Sequence, residues 1–326
     1  MNRHSYEIDM LRIIGAVSVV FYHYTYRGIF SDGTRIPIFP LYEIVTKYGY
    51  LGVNLFFMIS GFVILFSVLN KSPIHFAISR MDRLYPAYWV AVTLTASSVI
   101  ILTDTHISLK QYLMNLTMIN NYFNIQSIEG LYWTLHVELK FYFLIFLLML
   151  TKQIKHYHIW IPIWLTITLS HLFFSQPFFM GWIISPHYSS YFIAGILFYL
   201  IYRDGVNWQR ISALLVSICI SIYLSINQIN GFIANPALYD RIVAPTVVIF
   251  IHLIFFMIST RIITVKGSRV LLMAGGLTYP VYLLHARIGK TLFDLTSPYM
   301  NKHLVLIGIM IFIISISYAI YTIVER

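Results

Sequence analysis

Arg12 and His23 stand eleven residues apart in the first long apolar stretch of the chain. On an α-helix that spacing returns to within about 20° of the starting direction and rises about 16 Å. The two side chains therefore share a face at different depths. Ionisable groups inside apolar runs of membrane length are costly and need a partner or a task. An imidazole can take a proton from a hydroxyl near neutral pH, and a guanidinium can hold a phosphate. A snorkelling arginine and a hydrogen-bonded core histidine explain the bare pair equally well.

Other polar residues sit in comparable positions. Glu138 lies early in the run Trp133-Thr134-Leu135-His136-Val137-Glu138, and a carboxylate there must be paired, hydrogen-bonded or neutral. Asn54 follows Gly52-Val53, and Tyr282 and His285 close the run Tyr279-Pro280-Val281-Tyr282-Leu283-Leu284-His285. Asn54, Glu138, Tyr282 and His285 are expected to converge with His23 on one outer chamber. Polar contacts between packed helices account for each of them singly. Arg80 and Arg83 share a face if their stretch is helical. Two arginines on one face make a phosphate site, and positive-inside anchoring explains the same pair.

The elements that must carry these residues are membrane helices. Hydrophobic residues make up 59% of the 326 and charged residues 10%, against about 25% charged in a soluble domain. Ten stretches approach the ~20 residues that a bilayer needs: 8–27, 49–68, 84–103, 131–151, 158–174, 181–202, 210–227, 241–260, 270–288 and 303–323. The fifth is short, and Gly275, Gly276 and Pro280 interrupt the ninth, where Pro280 should kink the helix. The expected fold is an all-α polytopic bundle of about ten spans.

Net charge is +10, but no basic run marks a nucleic-acid tail, so membrane lipid and no nucleic acid is expected as a partner. With the N-terminus inside, twelve lysines and arginines fall on the inner side and eight on the outer. The loop 152–157 holds two lysines and the loop 175–180 none, which places both termini inside. Cys219 is the sole cysteine, expected as a buried inert thiol, so no intrachain disulfide is possible. No cleavable signal peptide and no metal site are expected. The outer segments 28–48 and 104–130 are too short to fold alone, so residues 1–326 read as a single membrane domain without a soluble C-terminal domain.

Five blocks carry a family resemblance: Ile8-Asp9-Met10-Leu11-Arg12 with His23; Gly52-Val53-Asn54-Leu55-Phe56-Phe57-Met58-Ile59-Ser60-Gly61-Phe62; Arg80-Met81-Asp82-Arg83-Leu84-Tyr85-Pro86-Ala87-Tyr88; Trp133-Thr134-Leu135-His136-Val137-Glu138-Leu139-Lys140-Phe141-Tyr142; and Thr278-Tyr279-Pro280-Val281-Tyr282-Leu283-Leu284-His285. In this order they resemble the acyltransferase-3 family of membrane acyltransferases. Ile13 replaces a residue that is often small, and His136 stands at a variable position.

The resemblance implies an O-acyltransferase that moves an acyl group, acetyl by default, from acetyl-CoA to a carbohydrate hydroxyl. It implies that Arg12 and His23 are essential and that Arg80 and Arg83 hold the coenzyme A phosphates. The residues themselves suggest a His23 base oriented by Glu138 or another group of the outer chamber, with Asn54, Trp133, Tyr282 and His285 as substrate or oxyanion candidates. Among the family's acceptors a surface polysaccharide such as O-antigen, capsule or exopolysaccharide comes first, at the outer side of a bacterial inner membrane. Peptidoglycan, a periplasmic glucan or a macrolide would use the same chemistry. A transporter shares the helices and buried charges but leaves the five blocks unexplained.

Overall fold

A computed structural model of the chain describes residues 5–27, 39–68, 71–103, 105–174, 181 and 183–325. Their regular structure is helical throughout. In chain order the α-helices are α1 (Tyr6–Thr25), α2 (Pro40–Thr46), α3 (Leu51–Val68), α4 (Pro73–Leu102), α5 (Leu109–Leu116), α6 (Trp133–Leu150), α7 (Tyr157–Phe173), α8 (Pro186–Asp204), α9 (Trp208–Asn227), α10 (Asp240–Ser259), α11 (Arg269–Thr296) and α12 (Lys302–Ile320).

Each of the ten expected stretches is occupied by a helix. Six helical stretches among the described residues are long and apolar enough to cross a membrane: Pro40–Val68, Pro73–Leu102, Gly130–Leu150, Trp208–Asn227, Asp240–Ser259 and Lys302–Val324. The other four expected spans are α1, α7, α8 and α11, where charge, length or, in α8, the polar start His187-Tyr188-Ser189-Ser190 weakens the signal. α1 carries Glu7, Asp9 and Arg12, and α7 has 17 residues. Segment 28–38 and loop 175–180, the latter used to orient the chain, lie outside the described residues.

α4 begins eleven residues before the expected start. Ser72 accepts from the His75 N–H, and Pro73 needs no donor of its own, so this pair starts the helix. Arg80 and Arg83 are thereby helical and one turn apart, which meets the condition for a shared face. α11 runs unbroken through Pro280 to Thr296, further than expected. Its glycines serve close packing instead of termination. A Cβ on Gly276 would strike the Tyr321 ring, and one on Gly289 would strike Tyr24.

The chain divides into two units. The first holds Met1–Gly15, Tyr50–Ser79 and Val137–Gly267. Its centre is α8, buried from Ser189 to Ile201 and packed on α3, α7, α9 and α10. A helix that is apolar all round must be surrounded. Small residues bring α3 against α8: a Cβ on Gly61 would meet the Phe192 carbonyl, and one on Gly195 the Met58 carbonyl. Serines tie α8 to α9, with Ser217 Oγ donating to Ser190 O at 2.6 Å and Ser221 Oγ to Ser190 Oγ at 2.9 Å. Cys219 departs from expectation. It is exposed on α9, because the serines take the inward face and leave it on the opposite one.

The second unit holds Ala16–Gly49, Arg80–His136 and Ser268–Arg326. Its segment 105–132 folds back along α4. Tyr88, Trp89 and Tyr85 donate to the carbonyls of Asn115, Leu116 and Thr117 at 2.6, 3.0 and 2.9 Å. Those carbonyls lie at the end of α5, where the helix leaves acceptors to be satisfied from outside, and the Asn115 carbonyl also accepts from the Met118 N–H. Buried Asn115 completes the fold-back, donating to the Gln111 and Gln126 carbonyls and accepting from Ile128 N–H.

Candidate functional site

His23 stands in the last turn of α1, partly accessible, with fully buried His285 of α11 behind it. The His23 Nδ1 lies 2.8 Å from the Val19 carbonyl and 3.3 Å from His285 Nε2. A carbonyl only accepts, so Nδ1 of His23 carries the proton. The same logic fixes His285, whose Nδ1 lies 2.9 Å from the Tyr282 carbonyl and 3.2 Å from that of Val281. Its Nε2 therefore presents a lone pair to His23. In this arrangement the His23 Nδ1–H is shared between Val19 and His285, and the His23 Nε2 keeps its own lone pair. A proton arriving at Nε2 would make an imidazolium whose Nδ1–H is already directed at an acceptor.

The wall around this pair is built from α1, α6 and α11. The Tyr24 hydroxyl donates to the His285 carbonyl at 2.8 Å. Tyr22 lies edge-on to His23, and its hydroxyl is hydrogen-bonded to Arg27. Tyr282 meets Thr134 Oγ1 at 2.7 Å. Thr134 gives its own proton to the Leu131 carbonyl, so Tyr282 is the donor in that contact. Of the expected outer group, this unit thus brings together His23, Tyr282 and His285, with Trp133 beside Thr134 at the start of α6.

Glu129, Thr134 and Tyr24 were not singled out from the sequence. Glu129 is 3% exposed and accepts from the N–H of Arg287 at 2.6 Å and of Leu131 at 3.2 Å. Burial pushes its carboxyl up to about 6, against the lowering by those N–H donors. An acid four residues before Trp133, the sole charged residue between Lys110 and Glu138, was the available signal. His136 anchors the fold-back, with Nδ1 3.4 Å from the Met118 carbonyl and its ring against Tyr122.

The first unit holds the remaining candidates. Arg12 pairs with Asp9 at 3.0 Å, the Asp9 side chain being 3% exposed. Glu138 accepts from Ser60 Oγ at 2.8 Å and from the Tyr142 hydroxyl at 2.5 Å. Asn54 is hydrogen-bonded to Tyr191, whose hydroxyl also lies 3.3 Å from the Ser221 carbonyl. Back in the second unit, Arg83 is exposed and Arg80 half-buried on α4. Among the described residues no group of three His, Cys, Asp or Glu side chains is placed to hold a metal.

Apolar helices of membrane length, together with an accessible imidazole of fixed tautomer backed by a second, buried one, describe a membrane enzyme equipped for proton transfer. Comparison with known proteins narrows the class. The acyltransferase-3 family model, described as an acyltransferase domain, matches residues 5–322, and the chain belongs to that family. It is an acyltransferase. A protein of Acidianus two-tailed virus whose name describes an acetyltransferase is 23% identical over 289 residues, 85% of this chain and 81% of its own length. Nodulation protein 10 of Rhizobium leguminosarum bv. viciae is 26% identical over 163 residues, 43% of this chain and 42% of its own. No solved structure matches.

Proposed function

We propose that the chain transfers an acyl group, acetyl in the first instance, from cytoplasmic acyl-CoA to a carbohydrate hydroxyl at the outer side of a bacterial inner membrane. A surface polysaccharide is the proposed acceptor. The proposal includes ten spans with both termini inside. The observation that carries the chemistry is the free Nε2 lone pair of His23, fixed by the bond of its Nδ1–H to Val19 and His285.

In the proposed reaction the acceptor hydroxyl gives its proton to His23 Nε2 while its oxygen bonds to the thioester carbonyl carbon. The carbon–sulfur bond breaks, and the coenzyme A thiolate takes the proton back, which restores the neutral imidazole. An acyl-histidine on the same Nε2 would serve as a two-step variant. His285 takes the orienting part that the sequence offered to Glu138 or another member of the outer group. Tyr282 already donates to Thr134, so oxyanion donation by Tyr282 would require that bond to open. Roles for Arg12, Arg80 and Arg83 in donor binding or catalysis rest on the family resemblance, and those for Glu138 and Asn54 on their places in the sequence.

The test is transfer from labelled acetyl-CoA by the purified chain reconstituted in vesicles, with mass analysis of surface glycans from cells with and without the gene. Transfer at the wild-type rate by His23→Ala would remove the proposed base. Unchanged glycans on deletion would remove the acceptor.

A further inference from the structure

The first unit carries a groove of about 420 Å³ between α7, α8 and α9, a volume typical of ligand pockets. Buried Ile161, Leu165 and Leu197 line its floor, with Leu169 and Val216 further along. One end is polar, with His158, Asn207 and Arg210. From His158 to Leu169 is eleven residues, about 16 Å of helix. That is about half the ~30 Å hydrocarbon core of a bilayer, the depth of one leaflet.

The polar end is positive. Arg210 is 8% exposed and lines the groove, and its Nε has no hydrogen-bond partner. Its Nη1 donates to the Gly205 carbonyl and its Nη2 lies 3.0 Å from Asp204, but Asp204 is already held by Arg203 at 2.6 and 2.5 Å. Two guanidiniums share one carboxylate, which leaves one net positive charge. Lys152 and Lys155 precede α7 on the same side. α7 and α9 both start at this end, so two positive helix termini face it against the one negative terminus of α8.

We propose that the groove seats one acyl chain of an anionic phospholipid, with the lipid phosphate at the Arg210 end. An apolar trough of one-leaflet length capped by a net cation matches that ligand, whereas a zwitterionic lipid offers the same phosphate but sets its own ammonium charge against the cation. The lipid site is separate from acyl transfer and stands or falls without it.

The test is native mass spectrometry of the full chain in detergent with phosphatidylglycerol or phosphatidylcholine, paired with melting curves. Wild type should retain phosphatidylglycerol about fivefold better, the worth of one net charge at an anionic surface, and should melt higher when it is added. Ala213→Trp, which fills the groove, should lose both effects while melting normally without lipid. If that variant does not fold, Val216→Phe takes its place. Equal retention of the two lipids by wild type would overturn the proposal, as would full phosphatidylglycerol retention by a folded groove-filling variant. A melting gain as large from inorganic phosphate as from phosphatidylglycerol would mean an anion site without a lipid.

Discussion

Nδ1 of His23 and Nε2 of His285 lie 3.3 Å apart, joining the last turn of α1 to α11 across a part-buried contact. The partly accessible ring is the one with a free Nε2, and the Val19 carbonyl together with the enclosed ring holds its proton on Nδ1. In the proposed reaction the first would be the reacting group and the second the positioning group.

If His23 is the base, His23→Ala should lower kcat by about 10²- to 10⁴-fold. His285→Ala should cost less, because Val19 still holds the His23 proton. The double variant should be no slower than His23→Ala alone, since the two act as one unit. His285→Gln keeps an oxygen that can accept from His23 and should recover part of the rate and the wild-type pH profile. Multiplicative losses in the double variant would show independent roles.

Arg12 needs a more careful substitution than alanine. Removing the guanidinium takes a cation away from the buried Asp9 carboxylate 3.0 Å distant, and breaking a buried pair from one side costs about 3–5 kcal/mol. Folding loss would then imitate catalytic loss. Asp9→Asn with Arg12→Ala should restore thermal stability while leaving the KM for acyl-CoA raised. A double variant with wild-type KM would confine Arg12 to a structural part.

Tyr282→Phe removes the donor to Thr134. The expected loss is about 1 kcal/mol, read from melting in detergent. Adding Thr134→Val to Tyr282→Phe should cost less than the sum of the single changes, because each single change already breaks the shared bond. Additive losses would mean that the two hydroxyls act separately.

Glu129 predicts a dependence on pH with a definite sign. Its folded value of about 6 exceeds the ordinary 4.5, so the folded state holds more protons between them. The stability from this group is complete below about 4.5 and declines as pH rises through about 6, by about 2 kcal/mol in all. The melting temperature of wild type relative to Glu129→Gln should therefore fall across that window. A constant difference from pH 4 to 7 would contradict the assignment.

The helix content and the helical positions of Arg12, His23, Glu138 and His285 were legible from apolar runs alone, since long helices follow from local pattern. The early start of α4 was legible too, in Ser72-Pro73, but a hydropathy reading overlooks a cap placed ahead of the apolar run. Gly275, Gly276 and Pro280 looked like an interruption because composition cannot separate a glycine that breaks a helix from one that admits a neighbour. The Tyr321 ring against Gly276 decided for the neighbour.

The sequence by itself determined that this chain forms apolar helices with a few ionisable groups at fixed heights, because 3.6 residues per turn and the cost of burying charge act locally. Which groups meet was decided only by the tertiary structure. His23 and His285 are 262 residues apart in the chain. Val19 places the proton on His23 Nδ1 within α1 itself, but the contact with His285 depends on a close approach, seen at Gly289, where a Cβ would strike Tyr24. Such packing is a property of two surfaces together, which neither stretch specifies alone.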